Sequence, residues 1–143
     1  MSTTAQDPTS AIECMRECTR LSHDFAYFVD HRDYEKLVAL FVEDGTFERR
    51  GEVLRGRAGI MKSMQARPME LITRHVCSNI RIDLQPDGTA CGTGCLLLFH
   101  GSTNGVAAGA TPPHSVTVAE YSDVYVATPE GWRIRSRVTT IVF

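Results

Sequence analysis

Long apolar runs are missing from this 143-residue chain. The longest unbroken one, Cys95 to Phe99, falls far short of the ~20 residues a membrane-spanning helix requires, so no membrane partner is expected. No basic stretch followed by an apolar one opens the sequence, so no secretory leader is expected. Excess charge of one sign is missing as well. Fifteen Lys and Arg against 17 Asp and Glu leave a formal net charge of −2, which offers no basic field to nucleic acid. None of the five cysteines (Cys14, Cys18, Cys77, Cys91, Cys95) forms a C-x-x-C pair, and an odd number is no disulfide framework. A reduced, cytoplasmic protein is the simplest reading, and the spacing matches none of the common zinc sites. Repeats and low-complexity tracts are also lacking.

What is present is ordinary globular material: 43% hydrophobic and 22% charged residues, in a length that suits one domain. Residues 1–9 are small and polar and are expected to fray, leaving residues 10–143 as the domain. Ser10 with Glu13 reads as a capping box that starts a first helix. Ile12, Met15, Cys18, Leu21, Phe25, Phe28 and Val29 then give it an apolar face. Asp33 suits the N-cap of a second helix, with Leu37, Leu40 and Phe41 inward and Gly45 at its end. A short strand or hairpin follows over 46–54, broken at Gly51, and a third helix over 56–65 is stopped by Pro68.

The period then changes from helical to extended. Strands are expected over 71–84, 89–100, 115–127 and 132–143, with turns at 85–88 and 128–131. Gly92 and Gly94 are expected to mark a bulge or sharp curvature, and the loop 101–114 is long enough for a lid or a subunit contact. Three helices with long antiparallel strands imply an α+β fold, helices gathered on one face of a curved sheet. Curving such a sheet around the first helix leaves a cone-shaped space suited to a small molecule. Val and Tyr on both faces of 116–126 imply burial on both, hence self-association.

The segment FAYFVDHRDYEKLVALFVED at 25–44 resembles the start of SnoaL-like domains in the nuclear-transport-factor-2-like superfamily. LRGRAGI at 54–60, the 75–79 strand, Tyr121-x-Asp123-x-Tyr125 and GWRIRSR at 131–137 extend the resemblance over about residues 10–140. It implies a cystatin-like, cone-shaped α+β barrel of mostly antiparallel strands. Within the superfamily the chain looks nearest to the branch of scytalone dehydratase, hexachlorocyclohexane dehydrochlorinase and bile-acid dehydratase. Those enzymes pair an Asp ending the first helix with a His on the following long strand, and Asp30 and His75 match them. Arg137 matches an Arg of the dehydrochlorinase, His100 a second pocket His of scytalone dehydratase, and Tyr27 lies near a family pocket tyrosine. The resemblance further implies a dimer or trimer and chemistry without metal or other cofactor.

The chemistry is intelligible from the residue types. A free Asp, with a pKa near 3.9, is a weak base for a carbon-bound proton, whereas an imidazole is suited to neutral pH. A carboxylate on one ring nitrogen fixes the tautomer and stabilises the imidazolium, leaving the other nitrogen for the substrate. The expectation is proton abstraction by His75, held by Asp30, in a lyase or isomerase acting on a small apolar cyclic compound. Tyr27, Asn79, Tyr121 and Arg137 would serve as donors to a departing oxygen or enolate, and His100 would bind substrate. Phe25, Phe28, Phe41, Met64, Leu97 and Phe99 would line the cone.

Plainer roles stand beside these. Asp30 suits a turn or a surface pair with Arg32, His75 and His100 suit structural positions, and Arg137 suits a partly buried pair with Asp123. A metal triad of Asp30, His75 and His100 has no supporting local motif. An epoxide hydrolase would need an Asp-Arg-Asp set from Asp30, Arg137 and Asp123. A ketosteroid isomerase would need Asp83 or Asp123 as base, neither in that family's context. Other classes are a non-catalytic small-molecule binder and the small-subunit assembly module of a ring-hydroxylating dioxygenase.

Overall fold

The structure, a computed structural model, describes residues 8–143. Of the expected frayed segment, residues 1–7 lie outside the described residues, whereas positions 8 and 9 are already helical. Helix α1 runs Pro8–Asp30, so Ser10 lies inside it rather than capping it. Its buried stripe is Cys14, Cys18, Leu21, Phe25 and Val29, at helical spacing. Ile12 and Met15 fall off that stripe and are exposed, against expectation. Asp33 caps α2 (Tyr34–Ala39) by accepting from the Lys36 N–H, and Leu37, Leu40 and Phe41 are buried as expected.

The second helix ends earlier than Gly45. Phe41 already begins β1 (Phe41–Arg49), which turns at Arg50 and Gly51 into β2 (Glu52–Arg55). Gly45 lies within the strand, where a Cβ would meet the Val42 carbonyl oxygen at 3.0 Å. Helix α3 spans Gly56–Gln65, and β3 (Leu71–Leu84), β4 (Ala90–Ser102), β5 (His114–Thr128) and β6 (Gly131–Ile141) follow. The six strands form one sheet in the order β2-β1-β6-β5-β4-β3. Every neighbouring pair is antiparallel except β1 with β6, which are parallel. The architecture is therefore mixed α+β, with helices against one face of a curved sheet that does not close on itself. Among the described residues, no helix is long and apolar enough to cross a membrane.

The expectations about the bulge and the loop are met in part. The β4–β5 register runs unbroken through Gly92 and Gly94, but the β3–β4 register breaks opposite Gly94, the extra residue lying on β3 between Ser78 and Arg81, where Asn79 has φ +52°. Asn79 is exposed at this bulge and faces no cavity. The loop between Ser102 and His114 borders none of the large cavity described below, so it is no lid in this conformation.

Gly92 instead allows a close approach. A Cβ there would lie 2.7 Å from the Tyr125 ring and 2.8 Å from Ile82. The Tyr125 hydroxyl is tied to Asp123 at 2.7 Å and Ser22 at 3.1 Å, so the ring has little room to yield. Gly92→Ala is expected to lower unfolding stability by about 1–3 kcal/mol through overpacking. Gly94→Ala, whose Cβ would meet Ile80 at an ordinary 3.4 Å, should shift a urea midpoint far less.

Candidate active site

Strand alternation decides what faces the helices. On β3, Leu71, Thr73 and His75 point inward; on β4, Leu96, Leu98 and His100; on β5, Thr117, Ala119 and Tyr121. With Phe25 and Val29 of α1, Phe47 of β1 and Met64 of α3, they border a cavity of about 1110 Å³. Phe25 meets Phe47 edge-on at 5.3 Å and Tyr121 at 6.1 Å between ring centroids.

Asp30 ends α1 and turns toward β3. Its Oδ1 lies 2.6 Å from His75 Nδ1, and its Oδ2 accepts the His75 backbone N–H at 2.7 Å. Thr73 Oγ1 donates to Oδ1 at 2.8 Å and itself accepts from Arg67 Nη2 at 2.8 Å. That order leaves the threonine hydroxyl one role, donation to the carboxylate. The two side chains are almost enclosed, 6% exposed for Asp30 and 10% for His75. Burial pushes the Asp30 carboxyl up, but the hydrogen bonds from the His75 ring and backbone, the His75 charge and the Thr73 hydroxyl outweigh it. The net result lies below the ordinary carboxylate value. An ionised Asp30 can only accept, so the neutral imidazole carries its proton on Nδ1. Nε2 is left as an acceptor, with no hydrogen-bond partner among the described residues, on a side chain that borders the cavity.

Arg32 takes no part in this pair. It stands at φ +59° after the helix and donates to the Pro68 and Leu71 carbonyls at 2.5 and 2.9 Å.

Of the other residues expected here, Phe25, Tyr121 and His100 border the cavity. His100 Nε2 stands 3.5 Å from Thr117 Oγ1. Tyr121 is buried, and its hydroxyl has no partner among the described residues. Burial, opposed by the Arg137 charge, pushes that hydroxyl above the ordinary tyrosine value.

Seven expected residues lie elsewhere. Tyr27 is 58% exposed on the far side of α1, stacked on His31, because it sits two residues from Phe25 on the helical wheel. Phe28 borders a separate recess formed by α1, α2 and the start of β6, with Trp132. Phe99 and Leu97 alternate with Leu96, Leu98 and His100 and so take the outer face, where Phe99 is 38% exposed. Phe41 is buried core outside the cavity lining, and Asn79 is at the bulge already described.

Arg137 is the seventh. It is 0% exposed and lies behind the cavity wall. Its Nε and Nη2 grip Asp123 at 2.9 and 2.8 Å, Nη2 also donates to Ser22 at 2.7 Å, and its guanidinium lies 4.0 Å from the Tyr121 ring centroid. The paired role with Asp123 is the one observed. With Arg137 and Asp123 sealed together, no Asp-Arg-Asp set faces the cavity. Among the described residues no group of three or more His, Cys, Asp or Glu is placed to hold a metal ion.

Sequence reasoning missed Thr73 and Arg67. Thr73 was open to discovery, since it lies two residues before His75 on the same strand face. Arg67 carried no local signal.

Two outcomes follow from these charges. Asp123→Ala leaves the Arg137 guanidinium buried without its carboxylate and should cost about 3–5 kcal/mol in denaturant unfolding. Asp30 holds its proton less tightly folded than unfolded. Its contribution to stability is therefore present above the ordinary Asp pKa near 3.9 and is lost as pH falls through the lower folded value. Urea midpoints measured from pH 6 to pH 3 should fall less steeply for Asp30→Asn than for the unaltered protein.

Comparison with known proteins places these observations in a family. A structure from Novosphingobium aromaticivorans, provisionally assigned as a scytalone dehydratase, superposes with a TM-score of 0.77 at 25% identity over 90% of this chain and 84% of that chain. ActVI-ORFA from Streptomyces coelicolor gives 0.73 at 25% identity over 89% and 96%. A provisionally assigned dehydratase of the NTF2-like family from Streptomyces avermitilis gives 0.79 at 17% identity over 95% and 99%, a likeness of fold alone. None of the curated proteins matches at a significant level. The SnoaL-like domain family matches residues 10–138, nearly the whole chain, and this protein belongs to that family.

Proposed function

We propose that the protein is a cofactor-independent lyase, dehydratase-like, acting on a small, mostly apolar cyclic compound by proton abstraction at His75. One observation carries the reading: a carboxylate holds Nδ1 of the imidazole at 2.6 Å while Nε2 is left without a partner among the described residues, on a side chain at the wall of a large, mainly apolar cavity. In this reading Nε2 removes a proton from carbon beside a carbonyl. The C–H electron pair becomes the new double bond as a C–O bond breaks. The departing oxygen takes up the proton that His75 holds, which returns the imidazole to its starting form. Asp30 stays ionised throughout and stabilises the imidazolium.

Tyr121 supplies the donor. With its hydroxyl pushed above the ordinary value, it stays protonated at neutral pH and offers O–H to the carbonyl or leaving oxygen. An isomerase would share the first step and return the proton to another carbon. The provisional dehydratase assignment of the Novosphingobium relative supports elimination. The chain is also read as a homodimer or homotrimer, since Ile72, Val76, Phe99 and Val116 leave an apolar patch on the outer face of β3–β5.

The test is a panel of cyclic β-hydroxyketones, followed by NMR for loss of water and for deuterium uptake beside the carbonyl. His75→Gln and Asp30→Asn, each checked for fold by circular dichroism, should lower the rate by about 10²–10⁴-fold. Undiminished turnover in both variants would remove the dyad from the mechanism.

A further inference from the structure

The charge around the cavity opposes that of the whole chain. Acids outnumber bases in the sequence by 17 to 15, yet Arg49, Arg50, Arg55, Lys62 and Arg67 border the cavity against one carboxylate, Glu52. Arg67 is already engaged with the Val29 carbonyl, Tyr34 and Thr73. Arg49 is not. It is half-buried, Nη2 donates to Ser63 Oγ at 2.6 Å, and its guanidinium lies 5.9 Å from the Phe47 ring centroid. Among the described residues no carboxylate reaches it within ion-pair distance. Burial lowers its pKa, and Glu52 only partly opposes this while Arg67 and Arg50 add to it. An Arg in a protein does not shed its proton, so such a site is relieved by an anion.

A second observation points to the same place. The β1–β6 register sets Arg49 beside Thr139, and the β5–β6 register sets Thr139 beside Tyr121. All three border the cavity. Thr139 Oγ1 is buried with no hydrogen-bond partner among the described residues. A buried hydroxyl without a partner is costly, and here it stands next to an unpaired guanidinium.

We infer that the substrate carries a carboxylate, seated against Arg49 and Thr139, with its ring extending toward His75. This inference rests on the elimination reading and narrows its substrate class to cyclic acids. A carboxylate accepts two N–H groups from one guanidinium and has lone pairs left for the threonine hydroxyl. The remaining cations at the β2–α3 rim draw an anion inward, and added salt screens that attraction.

The experiment compares two probes of matched shape, 2-naphthoate and the neutral 2-naphthamide, by naphthalene fluorescence and calorimetry. The acid should bind the unaltered protein about tenfold or more tighter than the amide, and only the acid should weaken as salt rises. Arg49→Gln should remove about tenfold from the acid and leave the amide unchanged. Thr139→Val removes a hydroxyl without a partner and so preserves the fold; it should weaken the acid selectively. Equal affinity for the two probes, no binding of the acid, or a preference that survives both variants would overturn the inference. His75→Gln separates the two readings. If it stops turnover while the acid preference is missing, only the carboxylate subsite fails. If it retains turnover while the preference stands, only the elimination chemistry fails.

Discussion

A carboxylate at the C-terminal end of a helix faces the negative pole of the helix dipole, and Asp30 occupies that position on a 23-residue helix. Left alone it would be destabilising and prone to protonation when buried. It is held instead by three donors from β3: the His75 ring, the His75 backbone and the Thr73 hydroxyl. These bonds fasten the end of α1 to the far edge of the sheet and fix the wall of the cone there. The same bonds set the imidazole's tautomer. The helix position and the imidazole's orientation are thus specified by one arrangement, and it is unforgiving: moving α1 by an ångström would strand a charge and release the ring together.

A second enclosed charge solves a different problem. Arg137 and Asp123 form a bidentate pair that also ties Ser22 of α1 and Tyr125 of β5 into one network. The guanidinium face lies against Phe25 at 4.6 Å and Tyr121 at 4.0 Å, where a cation is attracted to the ring. Tyr121 is thereby supported from behind, with its other side toward the cavity. The network braces the cavity wall behind Tyr121, whereas Arg49, Arg50, Arg55 and Arg67 border the cavity itself.

Much of this was legible in the residues. The change from helical to extended period at about residue 71, the Asp33 cap and the turns at 85–88 and 128–131 each have local causes, and each stands where local chemistry put it. Asp30 and His75 were reached through a family resemblance, because 45 residues separate them and no local pattern joins them. What escaped were facts of rotation and register. Tyr27 lies on the far side of the helix and Phe28 one step around it from the buried stripe, and Phe99 is one residue out of phase with the inward face of β4. Apolar character alone does not choose a face. A bulge opposite a glycine-rich strand shows the same limit: Gly92 and Gly94 signalled an irregularity, but the chain absorbed it at Asn79 on the partner strand.

The parallel contact between β1 and β6 has a consequence for assembly. It joins residues 41–49 to residues 134–139, so one edge of β1 waits for nearly the entire polypeptide before it finds its neighbour. The Leu40 carbonyl likewise accepts from the Ile134 amide, at 2.8 Å. During synthesis the first half of the chain can build helices and a hairpin, but the sheet is stitched together by the last strand to emerge. Pairings this distant in sequence are slow to form, because closing so long a loop costs entropy before any contact repays it. On the ribosome, then, β1 and β5 stand unjoined, and the Asp123 carboxylate has no guanidinium, until the final strand arrives with Arg137.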